Sequence, residues 1–206
     1  MAVRSLFPTL LYEAEIGDAV SLEELAHSIR TFARDDTAGI GWSREKAYAG
    51  YTSYASLNDL PKRDPAIADL AKLLARHAVK FAADAGLDLG RKPRLDSLWV
   101  NLLKSSGHHS AHIHPHSVIS GTFYVEVPAS SGAIRFEDPR LPLMMAAPSR
   151  EESFVTVEPR PGLLLLPVPW PPLDRQRRPR CQDRPRFLCR GGSCQQIQAA
   201  QCLCTA

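Results

Sequence analysis

The apolar residues follow two rhythms, and the change between them falls near Leu95. Leu22, Leu25, Ile29 and Phe32 recur at helical spacing and predict a helix. It opens at the capping box Ser21-Leu-Glu-Glu24, where side chains and backbone amides can satisfy one another, and ends near Asp35-Asp36. Ile67, Leu70, Leu74, Ala78 and Phe81 predict a second helix. Asp64 is its N-cap, Pro65 its first residue and Gly86 its stop. Between them, Gly39 to Asn58 is rich in Gly, Ser, Tyr and Thr and reads as loops with one strand around Tyr51-Thr-Ser-Tyr54. Ahead of the first helix, Leu6 to Tyr12 reads as an entry strand that Pro8 confines to an edge or a bulge. His27 lies off the first apolar stripe and is expected in solvent. His77 lies beside the second and is expected to be a partly buried structural residue.

Beyond Leu95 the runs are short and β-rich: Ser97–Leu103, Val118–Val127, Ala133–Phe136, Phe154–Val157 and Gly162–Leu166, separated by Gly and Pro. Helices followed by several short strands predict an α+β, mainly β chain, with the helices packed on an antiparallel sandwich or barrel. The expected organisation is one domain over residues 1–166, helical over 1–94 and β over 95–166, followed by an irregular segment 167–206.

Composition sharpens that boundary. The net charge is +3, but residues 167–206 hold seven Arg, no Lys and only Asp174 and Asp183 as acids. The preceding body is slightly acidic, so it has no basic surplus to suggest a nucleic-acid footprint. All five cysteines, Cys181, Cys189, Cys194, Cys202 and Cys204, lie in the same final segment. An odd count without a CxxC pair fits neither a zinc site nor a disulfide framework. No apolar run is long enough for a membrane span, and the N-terminus does not read as a signal peptide, so a cytoplasmic protein is expected.

The chemistry concentrates in one place. Five of the seven histidines, His108, His109, His112, His114 and His116, fall within nine residues just ahead of a strand. In an extended backbone, residues i and i+2 point the same way, so His112 and His114 can offer two imidazoles to one ion. Neutral imidazole suits iron, zinc, copper and nickel alike. A histidine-rich surface loop is the plain alternative, and it applies most to His108, His109 and His116.

The run His112-Ile-His-Pro-His-Ser-Val-Ile-Ser-Gly-Thr-Phe-Tyr-Val-Glu-Val-Pro128, followed by Ser131-Gly-Ala-Ile-Arg-Phe-Glu-Asp-Pro-Arg140, resembles a bacterial family of 2-oxoglutarate-Fe(II) oxygenases. Trp99-Val-Asn101, Gly50-Tyr-Thr-Ser53, Ser56-Leu-Asn-Asp-Leu60 and Leu6-Phe-Pro-Thr9 extend the resemblance over about residues 5–166. It implies a double-stranded β-helix that uses Fe(II), with 2-oxoglutarate as co-substrate, to oxidise a small-molecule or peptide substrate. No nucleic-acid or membrane partner is implied; a homodimer is compatible. In that superfamily a His-x-Asp/Glu pair and a distal His form a facial triad. His112 and His114 match the first pair, with His114 in the carboxylate position. Either His114 ligates there, or a carboxylate such as Glu126 or Asp138 contributes. Asn101, Tyr124, Arg135 and Arg140 are the candidate co-substrate residues. A guanidinium fork matches a carboxylate, although both arginines also read as plain turn residues paired to acids.

The resemblance stops after Pro161-Gly-Leu-Leu-Leu-Leu166. There the family would supply its distal His and an Arg for the 2-oxoglutarate carboxylate. Here Pro167, Pro169, Pro171 and Pro172 follow, and no histidine comes after His116. The abrupt Arg/Pro/Cys-rich shift reads as translation in a wrong frame or as a real, disordered tail, poorly packed in either case. An oxygenase impaired by the missing ligand is therefore expected, against the alternative of a non-catalytic, cupin-like metal-binding module.

Overall fold

The computed structural model describes residues 2–4, 8–90, 94–105, 107–112, 114, 117–129, 131–137, 154–167, 189–191 and 197–204. The chain runs through β1 (Leu11–Glu15), a 3-10 turn, α1 (Leu22–Asp35), α2 (Thr37–Glu45), β2 (Gly50–Thr52), α3 (Leu60–Arg63) and α4 (Pro65–Asp84). It continues through β3 (Arg94–Leu103), β4 (Ile119–Glu126), β5 (Ile134–Glu137), β6 (Phe154–Val157), β7 (Leu163–Pro167), β8 (Cys189–Gly191) and β9 (Ile197–Cys204).

These strands make two antiparallel sheets, one ordered β1-β7-β4-β9-β3-β2 and the other β6-β5-β8. From β4 onward the chain passes repeatedly between them: β4 in the large sheet, β5 and β6 in the small, β7 in the large, β8 in the small, β9 in the large. That alternation is the double winding of a double-stranded β-helix, as the resemblance implies.

Strand alternation sorts the side chains between two cores. Leu98, Val100, Ile119, Phe123, Val125, Leu164 and Leu166 face the helices and pack with Leu25 and Ile29 of α1 and Ile67, Leu70, Leu74 and Phe81 of α4. On the other face, Tyr124, Leu163 and Leu165 pack with Ile134, Phe136 and Val157 of the small sheet. Trp99 and Asn101 alternate with Leu98 and Val100, so they share this inner side.

Both predicted helices form with the predicted caps: Ser21 Oγ accepts from the Glu24 N–H, and Asp64 accepts from the Ile67 N–H. Gly86 adopts φ +66° just past α4. His27 is exposed, and His77 is half-buried with its Nδ1 2.8 Å from the Tyr12 hydroxyl. The entry strand begins later than expected, at Leu11, and residues 5–7 lie outside the described set.

Two expectations are corrected. The segment expected as loops contains α2, because Asp36 caps it through the Gly39 N–H at 3.0 Å. Asp36 also accepts from Tyr51 and Ser56, tying α2 to β2 and to the turn after it. A Cβ at Gly39 would collide with the Asp36 carboxylate, Ser56 Oγ and the Tyr51 ring, so only glycine fits there. The final segment is not irregular throughout: its residues 189–191 and 197–204 are strands, and β9 pairs with β3 on one side and β4 on the other. The physical reason is local composition. Ile197-Gln-Ala-Ala-Gln-Cys-Leu-Cys204 carries no charge and no Pro, and it fills a two-sided gap that would otherwise leave both β3 and β4 with open edges. Among the described residues no helix is long and apolar enough to cross a membrane.

Candidate metal centre

His112 and His114 lie in the connection between β3 and β4, not on a strand. Both ends of this connection are anchored. Lys104 N–H donates to the Ala49 carbonyl, and Gly107 passes so close to Ala49 that a Cβ would strike its oxygen. At the other end Ser117 N–H donates to the His114 carbonyl, and its buried hydroxyl donates to the Ile119 carbonyl at 2.7 Å. His114 is thereby fixed just ahead of β4.

The imidazoles of His112 and His114 stand 4.9 Å apart, centroid to centroid, with their planes at 80°. Nδ1 of His112 lies 2.8 Å from the Ser110 carbonyl. A carbonyl only accepts, so Nδ1 carries the proton and Nε2 keeps its lone pair for a ligand. His114 packs against Trp99, ring centroids 5.6 Å apart. Burial, then the neighbouring His112, push the pKa of His114 down to about 4, so its imidazole is neutral at pH 7.

His109 continues the group, 6.3 Å from the His112 ring, with its Nε2 3.2 Å from the Tyr48 hydroxyl. Burial, then His112 and His108, lower its pKa to about 4. Its part as the inner neighbour of the pair was not legible in the sequence, because Tyr48 is 61 residues away. His108 is exposed, and His116 lies outside the described residues.

A pair of imidazoles suits iron, zinc, copper and nickel. Among the described residues, no group of three or more His, Cys, Asp or Glu could hold a metal ion. Glu126 is excluded by position: it ends β4, seven residues or roughly 23 Å along the strand from Ile119, at the other end from His114. The register slips between Tyr124 and Glu126, and Glu126 pairs with Arg30 of α1 at 2.5 Å. Asp138 lies outside the described residues.

Residues 97–171, which contain β3, the histidine loop and β4 to β7, match a family described as "Putative 2OG-Fe(II) oxygenase". The match is to the 2OG-Fe(II) oxygenases, over residues 97–171 of the 206. The whole fold is similar to the viral collagen prolyl hydroxylase vCPH from Paramecium Bursaria Chlorella virus-1, solved as a 2OG complex. The TM-score is 0.55 at 14% identity, covering 94% of each chain. It is also similar to the epimerase SnoN, solved in complex with Fe3+, alpha ketoglutarate and nogalamycin RO. There the TM-score is 0.52 at 14% identity, covering 93% of this chain and 77% of that one. At such identity the likeness carries the fold, a double-stranded β-helix. No curated protein sequence matches the chain.

The cofactors of 2OG-Fe(II) oxygenases, Fe(II) and 2-oxoglutarate, direct attention to the inner face of the large sheet. Asn101 is 1% exposed, and its Nδ2 has no hydrogen-bond partner among the described residues. An orphaned amide of this kind is rare in a protein interior and invites a ligand acceptor. Tyr124 stands in the same cross-strand row, two strands away, with the Gln198 backbone between them. The donor set therefore fits the family's cofactors in part: two imidazoles for the metal and one free amide for an oxo-acid.

Arg135 is corrected as a co-substrate residue. Ile134 and Phe136 face the inner core, which puts Arg135 on the opposite face of β5. Its guanidinium carbon lies 3.6 Å from the Phe154 ring centroid, and its Nε is 3.5 Å from Glu137. Arg140 lies outside the described residues.

Proposed function

We propose that this chain is built as an Fe(II)- and 2-oxoglutarate-dependent oxygenase of a small-molecule or peptide substrate. The observation that carries the reading is the His112–His114 pair at 4.9 Å on the loop entering β4. His112 and His114 would hold Fe(II), which with 2-oxoglutarate and O2 supplies the oxidant for a C–H bond. The protein's own contribution is orientation. The Ser110 carbonyl fixes the His112 tautomer, Trp99 packs against the His114 ring, and the Asn101 amide would donate to a co-substrate carboxylate, with Tyr124 across the row. The reading carries with it a cytoplasmic setting and no nucleic-acid or membrane partner.

The ligand count argues that this 206-residue chain is a weak member of its kind. No histidine follows His116, and the described residues supply two ligands where a facial triad needs three. That same observation favours a second reading, a non-catalytic metal-binding module on the same fold. Succinate release from 2-oxoglutarate with added Fe(II) separates the two. Slow release that His112→Ala abolishes supports the impaired oxygenase. Tight metal binding with no release at all supports the module.

A further inference from the structure

Helix α2 ends in a left-handed cap. Among the described residues Ala47 is the one non-glycine at positive φ, +52°, at a position where glycine is usual. Tyr48 N–H closes the cap on the Ser43 carbonyl at 2.8 Å, and Gly50 N–H donates to the Tyr48 carbonyl at 2.8 Å. Between them the Ala49 carbonyl takes the Lys104 N–H, and a Cβ on Gly50 would strike the Leu102 carbonyl. Tyr48 is therefore held on a closed turn against the end of β3, where the histidine loop begins. Left-handed backbone at a residue with a Cβ persists only where its surroundings hold it.

The Tyr48 hydroxyl faces the edge of the His109 ring, 3.2 Å from Nε2 and 3.4 Å from Nδ1. It therefore has a partner whichever of the two nitrogens carries the proton. Burial raises the pKa of Tyr48, so the hydroxyl keeps its own proton at neutral pH. The two rings pack at 5.6 Å, and His109 packs in turn on His112 at 6.3 Å. The residue after His109 is Ser110, whose carbonyl lies 2.8 Å from Nδ1 of His112. One dipeptide, His109-Ser110, thus supplies both a ring and a carbonyl against the His112 imidazole.

We propose that Tyr48 is a positioning residue of the metal centre: by gripping His109 it holds the dipeptide that orients His112 and leaves its Nε2 free. The consequence for a metal rests on the reading of His112 as a ligand; the orientation itself does not. A carbonyl behind an imidazole fixes which nitrogen faces an ion. It does so only while its own backbone is held, and residues 107–112 belong to no helix or strand. Tyr48 supplies that hold from the end of α2. Stoichiometric binding stays with His112 and His114, while Tyr48 sets which nitrogen His112 presents. The plain alternative is a hydrogen bond that stabilises the loop and does nothing to the His112 ring.

The test is proton–nitrogen correlation NMR of the histidine rings in the intact, metal-free 206-residue chain, at a pH where free imidazole is neutral. The His112 signal is the one that His112→Ala removes. In the unaltered chain it should show one tautomer, with the proton on Nδ1. Tyr48→Phe keeps the ring and removes the hydroxyl. It should shift the His112 tautomer ratio about 3–10-fold towards Nε2–H, the worth of one hydrogen bond. His109→Ala should do the same, and Tyr48→Phe should add nothing in that background, because both act through one contact. Unchanged His112 signals in Tyr48→Phe, with or without a lower melting temperature, would leave only a structural bond and overturn the proposal. An effect of Tyr48→Phe that adds to that of His109→Ala would overturn it as well. Zn(II) titration of the unaltered chain is the separate check on the metal reading: no binding there would sink that reading and leave the tautomer result to decide on Tyr48.

Discussion

Ser53 and Val100 exchange two hydrogen bonds, one through the backbone of both residues and one through the Ser53 hydroxyl. This pair joins the turn after β2 to β3 where the next residue, Trp99, reaches the histidines. Ser53 is wholly buried, so Ser53→Ala leaves the Val100 N–H without an acceptor and without water. Leaving one buried donor unsatisfied costs about 1–3 kcal/mol. Urea denaturation should show a loss of that size with an unchanged slope; a loss below about 0.5 kcal/mol, the ordinary range for a surface change, would mean the pair contributes little.

Metal binding should depend on two histidines and not on their neighbours. His112→Ala and His114→Ala should each abolish stoichiometric Fe(II) binding in anaerobic titration calorimetry, since one imidazole gives no chelate. His108→Ala, at an exposed position, should leave binding unchanged. A normal isotherm from His114→Ala would remove the centre proposed here.

Asn101 offers a sharper test, because its two effects have opposite signs. With Nδ2 buried and unpaired, Asn101→Leu should leave the ligand-free protein as stable as before or slightly more so. The same change should weaken 2-oxoglutarate binding about 10–100-fold, the worth of one hydrogen bond to a charged group. Unchanged 2-oxoglutarate affinity would place the co-substrate elsewhere.

The metal-free protein should lose stability in mild acid. The fold lowers the pKa of His77 by burial, helped by Arg76 and Lys80, and lowers His109 and His114 to about 4. A histidine whose folded pKa lies below its unfolded value of about 6.5 favours the native state only while neutral. That contribution is full above pH 6.5 and is lost as pH falls from there towards 4. For His77 the neighbour is visible: its Nδ1 lies 2.8 Å from the Tyr12 hydroxyl. Denaturation midpoints should therefore fall between pH 7 and pH 5, and His77→Gln should flatten part of that slope. A midpoint constant across this range would contradict the assignment.

What could be read in advance followed the range of the interactions. Ser21 and Asp64 cap their helices through bonds three residues long, so the sequence displays them. His112 and His114 are two residues apart, and their convergence needs only an extended backbone. Helix α2 was missed because its cap, Asp36, reads as the end of α1, and the residues after it include two glycines. The surroundings of Glu126 and Arg135 are not legible in the sequence for another reason. One depends on a register slip and the other on which face of β5 points inward, and composition fixes neither.

The final segment supplies the last prediction. Strand β9 pairs with β3 from Arg94 to Leu102 and with β4 from Ile119 to Glu126, so β3 and β4 meet only through it. The sheet therefore divides there, with Trp99 and Asn101 on one side and Tyr124 on the other. Removing residues 189–206 would leave two unpaired edges facing one gap, and unpaired edges recruit other chains. The truncated protein should melt at lower temperature and run as aggregates in size-exclusion chromatography. It should also lose 2-oxoglutarate binding even with Asn101 and both histidines intact, because the row from Asn101 to Tyr124 has lost its middle strand. An expendable, poorly packed tail predicts the reverse: a monomer of unchanged melting temperature and unchanged co-substrate affinity. Finding that monomer would mean that β3 and β4 close on each other without β9, and that the site is complete within residues 1–188.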